Sequence, residues 1–451
     1  MEKTSVASQP LSSAPARTSR LPGRFARLPE LAGPGFLPLG LFARLPLAML
    51  TVGTLTLVTA VSHSYAIGGM AAGAVGIGSA LGAPVLGALA DRAGQRIVLL
   101  VAAVINTLAV AGLLAAAYIT PGYGEVADAA GVLIAAFLAG ASCPQVGPMA
   151  RVRWMALTTR NLSPGATGGK RSVAASRADL DTALSYEGTA DEVTFVLGPA
   201  LVGVLASMVA PWLPLALAAV MTITLVPAFA VHPSQQAVVP APRNAGSGVD
   251  ASGTEAERPQ RRSRWAVAVV AVPVVAMVCM GTFFGATQNA LSAYSAQYAT
   301  AEIAGLLYAV MGLSSAVAAL SVAFWPQRFS LASRWVAAAL AMTALSVLLI
   351  LPAGIWPMVA VLLLLGIPVG PVMVTVFSIG GVVAPSGRMA TVMTALASGI
   401  VAGTALGSYL AGQLAETQGP GAAFVVSMAA AAGLLLLGVV TSLVMKRQPQ
   451  A

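Results

Sequence analysis

The chain has 451 residues, of which 57% are hydrophobic and 9% charged, with a formal net charge of +9 and a mean hydropathy of +0.85. Soluble domains carry about 25% charged residues, and thirty-nine charges are too few to wet a 45.2 kDa globule. Soluble enzymes, nucleic-acid binders and disordered chains are therefore excluded, and an integral membrane protein is indicated.

Residues 1–33 are rich in Ser, Pro and Arg, with Arg17, Arg20, Arg24 and Arg27, and read as a disordered tail on the cytoplasmic side. The first apolar run is too long and too late for the core of a signal peptide. A membrane-crossing helix needs about 20 apolar residues. Six runs of that kind are expected at about 36–61, 65–90, 97–119, 127–150, 184–209 and 212–231. A polar stretch, about 232–264, follows with Pro240, Pro242, Gly246, Gly248 and the cluster Arg261, Arg262 and Arg264. Six further runs lie at about 265–290, 302–325, 334–351, 355–381, 388–413 and 421–444. All are rich in Ala, Gly and Leu, as close-packed membrane helices are. Two units result, 34–231 and 265–445, joined by a cytoplasmic linker at 232–264 and followed by a short tail, 446–451.

Charge tests this map independently. With the N-terminus inside, 23 of the 24 basic residues fall on the tails and even-numbered connections, and Arg44 sits in the inner part of the first helix. The other side holds Glu125, Asp128, Glu302 and Glu416 and no basic residue. Moving one helix in or out of the map destroys this asymmetry, so both termini are expected in the cytoplasm and the chain in the cell membrane. Cys143 and Cys279 both lie in apolar runs and imply no disulfide framework.

A weak repeat relates the two units. Val146-Gly147-Pro148 recurs as Val369-Gly370-Pro371, and Gly198-Pro199-Ala200-Leu201 as Gly403-Thr404-Ala405-Leu406, at equivalent helices. Two fused six-helix bundles around a central cavity are the expected transporter architecture.

The second and third helices are joined by Gly87-Ala88-Leu89-Ala90-Asp91-Arg92-Ala93-Gly94-Gln95-Arg96. A solvated basic turn would explain part of it. In its twelve-helix setting, however, it resembles the loop signature of the major facilitator superfamily, Gly-x-x-x-Asp-Arg-x-Gly-Arg-Arg. Gly87, Asp91, Arg92, Gly94 and Arg96 match, and Gln95 stands where a basic residue is usual. The resemblance extends over about residues 36–445 and implies an all-α membrane fold of two pseudo-symmetric six-helix bundles. It further implies that Asp91 latches the halves on the cytoplasmic side, facing the N-terminus of the eleventh helix near Ser386, Gly387 and Arg388. The counterpart around Trp325-Pro326-Gln327-Arg328 has lost both acid and glycine.

Gly198, Pro199 and Gly203 in the fifth helix look like a shortened form of the superfamily's antiporter motif, with Thr194 in place of the upstream glycine. A kinked, closely packed helix explains the same residues without a transport direction. Glu187, Asp191 and Glu192 precede them. Acids in a membrane helix are functional candidates by default; the alternative is interfacial pairing with Arg151, Arg153 or Arg44. Asp191 and Glu192 are the candidates for proton coupling. Arg44 either snorkels to the headgroups or faces the cavity as a partner for an acid or an anionic substrate group.

In the superfamily, helices 1, 4, 7 and 10 line the cavity, which implies Thr51, Thr54, Gln145, Thr282, Phe283, Phe284, Gln288, Asn289, Thr375 and Ser378 as candidate lining. So few polar groups suit a hydrophobic or amphipathic solute, although many Ser and Thr bond their own helix backbone. His63 and His232 are single and far apart, so no metal site is expected. No phosphate-binding loop occurs, the nearest approach being Gly169-Lys170 with Pro164 and Arg171 at its key positions. The 151–190 connection is long, and its portion from 161 to 170 reads as a flexible insertion lying on anionic lipid.

The resulting expectation is a secondary active transporter, not an enzyme, without cofactor, metal or nucleic acid. It would act as a monomer in lipid on a small-molecule substrate, by alternating access and proton-coupled export. Import of a small solute, and a sensor without net flux, stay open as alternatives.

Overall fold

The computed structural model describes residues 23–120, 127–159, 170–240, 259–298, 303–326 and 328–446, with backbone alone at 65–66, 170–172, 259–268 and 444–446. Twelve helices among them are long and apolar enough to cross a membrane. α1 is interrupted, running Phe36–Phe42 and Leu45–Ser62, and is followed by α2 (Tyr65–Ala93) and α3 (Gln95–Ile119). α4 is also interrupted, as Ala130–Ala141 and Val146–Thr159; α5 (Lys170–Met208) and α6 (Leu213–Val231) complete the first half. The second half comprises α7 (Pro259–Tyr298), α8 (Ile303–Ser321), α9 (Leu331–Ser346), α10 (Ile355–Val383), α11 (Met389–Gln418) and α12 (Pro420–Lys446).

The outer surface is apolar. Leu108, Leu313 and Leu436 are each about two-thirds exposed, which lipid tolerates and water does not. Tyr118, Trp212, Tyr298 and Trp356 are exposed at helix ends away from the basic connections, where an aromatic belt marks a membrane boundary. The end with the basic connections is called the basic face below.

Without a hydrophobic force between helices in lipid, close backbone approach supplies the packing. A Cβ at Gly82 would overlap the Ala141 backbone of α4, and one at Gly403 would overlap the Val278 carbonyl of α7. The repeat seen in sequence has a structural counterpart here. Gly198 seats α5 against Ala48 of α1, as Gly403 seats α11 against α7.

Four boundaries differ from expectation. Gly23 to Phe36 is folded, contrary to the expected tail: Arg24–Arg27 is a 3-10 turn and Leu28–Ala32 an α-helix. Leu28, Ala32 and Phe36 are all buried, so apolar side chains on a segment too short to cross a membrane still anchor it. α5 begins at Lys170 instead of 184, because its first turns are polar yet helical. α7 likewise begins at Pro259 instead of 265. α4 breaks at Ser142–Gln145, where Pro144 cannot continue a hydrogen-bonded helix. The expectations for 1–22, Glu125, 161–169, Pro242, Gly246, Gly248, Glu302 and 447–451 fall outside the described residues.

Candidate functional site

The two halves meet on the basic face through α2, α4 and α5 on one side and α8, α10 and α11 on the other. Gly87 lets α2 cross α11 closely: a Cβ there would overlap Thr394 Oγ1 and approach the Ala390 carbonyl. That crossing delivers Asp91 to the start of α11. Asp91 Oδ1 accepts from the Ala390 N–H at 2.9 Å, and Oδ2 accepts from the Thr391 N–H at 2.8 Å and its hydroxyl at 2.7 Å. An anion at a helix N-terminus satisfies orphan donors and complements the helix dipole. Gly94 turns the chain from α2 into α3 at φ +89°. Arg92 and Arg96 are exposed. Above this junction lies a cavity of about 400 Å³. Val152, Met155, Leu180 and Val382 line it, with Asp91, Thr159 and Ser378 as its polar groups.

Deeper in the first half, a charge network crosses α1, α4 and α5. Arg44 lies in the break of α1 and is 5% exposed. Its Nη2 donates to Glu187 Oε2 at 2.6 Å, its Nη1 to Asp191 Oδ1 at 2.8 Å, and its Nε to the Gly40 carbonyl at 2.9 Å. Arg151 Nη2 donates to Asp191 Oδ2 at 2.6 Å. Trp154 Nε1 donates to Glu187 Oε1 at 2.9 Å. Two cations and two acids thus compensate one another, as buried charges must. Snorkelling does not describe Arg44, because the break in α1 turns it inward. The break in α4 adjoins the same network: Gly147, just after it, faces Asp191, Arg151 and Arg44. Asn106 of α3 donates to the freed Ala139 carbonyl at 2.7 Å, as broken membrane helices require.

Glu192 stands apart from these pairs. It is 6% exposed, and among the described residues no cation pairs with it. Its Oε1 accepts from Ser315 Oγ of α8 at 2.8 Å, a bond between the halves. One residue pair away, Thr189 Oγ1 donates to the Ala316 carbonyl at 3.0 Å. Arg151 also reaches across, its guanidinium 3.9 Å from the Phe377 ring centroid of α10.

Of the predicted lining residues, Ser378 alone is among those that line the basic-face cavity. Thr54 and Thr375 are buried with hydroxyls that have no partner, and Gln145 lies in the α4 break, donating to the Cys143 carbonyl at 3.0 Å. Ser378 lines the basic-face cavity and donates to the Val374 carbonyl. Phe283 and Phe284 are buried 6.1 Å apart. Thr51 and Gln288 are exposed. Thr282 and Asn289 instead join α7 to α11. The Thr282 backbone packs under Gly407, and Asn289 donates to the Ser408 carbonyl at 2.9 Å. In the α5 motif, Gly198 and Pro199 shape helix packing, whereas Gly203 is exposed and has no neighbour where a Cβ would stand.

The sequence profile described as Major Facilitator Superfamily matches residues 36–399. The chain belongs to the major facilitator superfamily. Solved structures agree on the fold. The human organic anion transporter MFSD10 (TETRAN) superposes with a TM-score of 0.64 at 18% identity, covering 92% of this chain and 99% of that one. The E. coli fucose:proton symporter FucP gives 0.60 at 16% identity over 89% and 98%. A bacterial homologue of the iron transporter ferroportin, in an outward-facing state, gives 0.62 at 14% identity over 90% and 98%. No curated protein sequence matches significantly.

Superfamily resemblance and acid spacing locate Asp91, Arg44 and the α5 acids. They do not locate their partners. Of the three alternative partners for those acids, Arg44 and Arg151 pair with them, whereas Arg153 contacts Gln95, Phe229 and Ser234. Asp181 pairs with Arg334 of α9 at 3.2 Å, and Trp154, Ser315 and Asn106 are equally new. An acid facing a hydroxyl from another helix leaves no local spacing pattern, so Ser315 carries no signal in sequence.

Proposed function

We propose that this superfamily member is a secondary active transporter that exports a hydrophobic or amphipathic small molecule in exchange for protons. The basic face is cytoplasmic, as positive-inside sidedness requires, in the cell membrane with both termini inside. Residues 34–231 and 265–445 form the two halves, joined by 232–264, which alternate access around a site between them. In the arrangement described, Asp91 on α11 and the α5–α8 contacts hold the cytoplasmic side closed.

One observation carries the coupling assignment. Among the described residues Glu192 is a buried acid without a cation, and its hydrogen bond runs to the opposite half. Intramembrane acids in such positions serve proton relays. Because that bond must break when the halves separate, occupancy of Glu192 by a proton and the position of the halves are linked. Glu187 and Asp191 already compensate Arg44 and Arg151, so they hold the first half together and Glu192 carries the proton. The apolar lining of the basic-face cavity supports a hydrophobic solute entering from the cytoplasm.

A second reading concerns substrate charge. Arg151 Nε is buried without a partner beside Phe377, which favours an amphipathic anion. One structural neighbour is described as an organic anion transporter. The test is accumulation of fluorescent hydrophobic cations, neutrals and anions in cells expressing the parent protein or Glu192→Gln, each with and without a protonophore. Lower accumulation that either treatment abolishes supports proton-driven export. Accumulation that rises on expression identifies import instead. A panel that matches empty cells throughout points to sensing.

A further inference from the structure

Gln95 is the one position of the signature loop where this chain departs from the superfamily's usual basic residue. It is the first residue of α3, is 4% exposed, and follows Asp91 by four positions. Its Oε1 accepts from Arg153 Nε of α4 at 2.9 Å, and its Nε2 donates to the Met149 carbonyl at 3.4 Å. Arg153 is 0% exposed. Its Nη1 donates to the Phe229 carbonyl at 2.8 Å and to Ser234 Oγ at 3.1 Å, and its guanidinium lies 4.0 Å from the Phe229 ring centroid. Phe229 lies in the last turn of α6, where its carbonyl also accepts from the His232 N–H at 3.3 Å and the helix C-terminus attracts a cation. Among the described residues no acid pairs with Arg153, so its charge is held by carbonyl, amide, hydroxyl and ring.

We propose that Gln95 and Arg153 are an exchanged pair, in which α4 supplies the cation that the signature usually carries in the loop. Arg153 is then a positioning residue for the gate. It fixes Gln95, and with it the tight turn at Gly94, so that Asp91 meets the N–H groups of α11. The exchange has an unusual consequence. Restoring the superfamily's residue, Gln95→Arg, sets two guanidinium groups within about 3–4 Å of each other in a buried site without an acid, where like charges repel strongly. Gln95→Glu does the reverse and completes an ion pair with Arg153. Exchanging both, Gln95→Arg with Arg153→Gln, returns one cation and one acceptor, although Phe229 and Ser234 lose their donor.

The proposal rests on reading the Asp91 loop as a gate, and the experiment separates the two. Spin labels at Arg96→Cys and Ser386→Cys, in the full chain with Cys143→Ala and Cys279→Ala, report the distance between the α2–α3 turn and the start of α11. No substrate is needed, so errors in substrate, direction or coupling do not enter. Asp91→Asn tests the gate itself: a distance unchanged in Asp91→Asn sinks the gate reading. Gln95→Arg is expected to raise the long-distance population about three- to tenfold, the double exchange to reverse most of that rise, and Gln95→Glu to keep the parent distribution. If Gln95→Arg does not fold, Gln95→Met, which removes the acceptor without adding charge, takes its place with the same expected opening. A distance unmoved by Gln95→Arg and Gln95→Met, while Asp91→Asn moves it, overturns the exchanged pair. So does a folded double exchange as open as Gln95→Arg alone.

Discussion

The two halves share a packing scheme but not a chemistry. In each, glycines bring helices into backbone contact, at Gly82 and Gly140 between α2 and α4 and at Gly281 and Gly403 between α7 and α11. Buried charge is unevenly divided. Among the described residues Arg44, Arg151, Arg153, Glu187 and Glu192 are buried in the first half, and Arg334 is the second half's one counterpart. The inner connections differ in the same way. Between α2 and α3, Asp91 reaches out to cap a helix of the other half. At the start of α9, Arg334 folds back on the preceding loop, donating to the Phe329 carbonyl at 2.8 Å, and donates to Asp181 of α5 at 3.2 Å. Among the described residues the first half holds most of the buried charge; the second offers helix ends, hydroxyls, rings and Arg334 as its partners. Pseudo-symmetric backbones therefore do not need symmetric chemistry, and in the proposed mechanism the groups that bias alternation sit on one side.

The largest effect that separates the halves is expected from Glu187→Gln. Removing one partner of a buried network leaves Arg44 short of a counter-charge and costs on the order of 3–5 kcal/mol, read as a drop in thermal unfolding temperature in detergent. The combination Arg44→Met with Glu187→Leu should recover much of it, because charge is removed from both sides while Asp191 stays paired with Arg151. Next comes packing. Gly403→Leu in the second half drives a side chain into the Val278 backbone and is expected to destabilise by about 1–3 kcal/mol, with no change in proton dependence of any residual transport. A Glu192→Gln variant should show the opposite pattern, near-parent stability with coupling lost.

Smaller still is the N-terminal segment. Arg27 pairs with Asp179 at 3.2 Å, Arg24 donates to the Ala323 carbonyl, and Phe25 packs 6.0 Å from Phe324 across the half boundary. Arg24→Ala with Phe25→Ala is expected to raise the population open on the basic face about twofold, as the loss of exposed contacts worth a few tenths of a kcal/mol would. Equal distance distributions in the double variant and the parent would contradict a role for this segment in closure.

Much of this was legible in the sequence. Twelve apolar runs and their charge asymmetry locate the helices, since the bilayer fixes length and sidedness. The signature locates Asp91 and its target helix, and the four-residue spacing of Glu187 and Asp191 places both acids on one helical face, which the structure turns toward Arg44. What escaped depends on register between helices. Nothing near Arg153 in sequence predicts Gln95 fifty-eight positions away, and Asn289 reads as cavity lining until α11 is seen beside it. The folded segment at 23–35 escaped because a hydropathy window sized for a membrane span averages over Leu28 and Ala32.

The most direct test of the central claim is substrate flux in proteoliposomes holding the purified full chain, with an imposed pH gradient and Glu192→Gln beside the parent and Asp191→Asn. The account predicts gradient-driven uphill transport by the parent. In Glu192→Gln it predicts downhill exchange that persists but no longer responds to the gradient. Asp191→Asn should lose stability while keeping whatever gradient response survives. Undiminished gradient-driven accumulation by Glu192→Gln would contradict the assignment of the coupling proton to the acid that joins the halves.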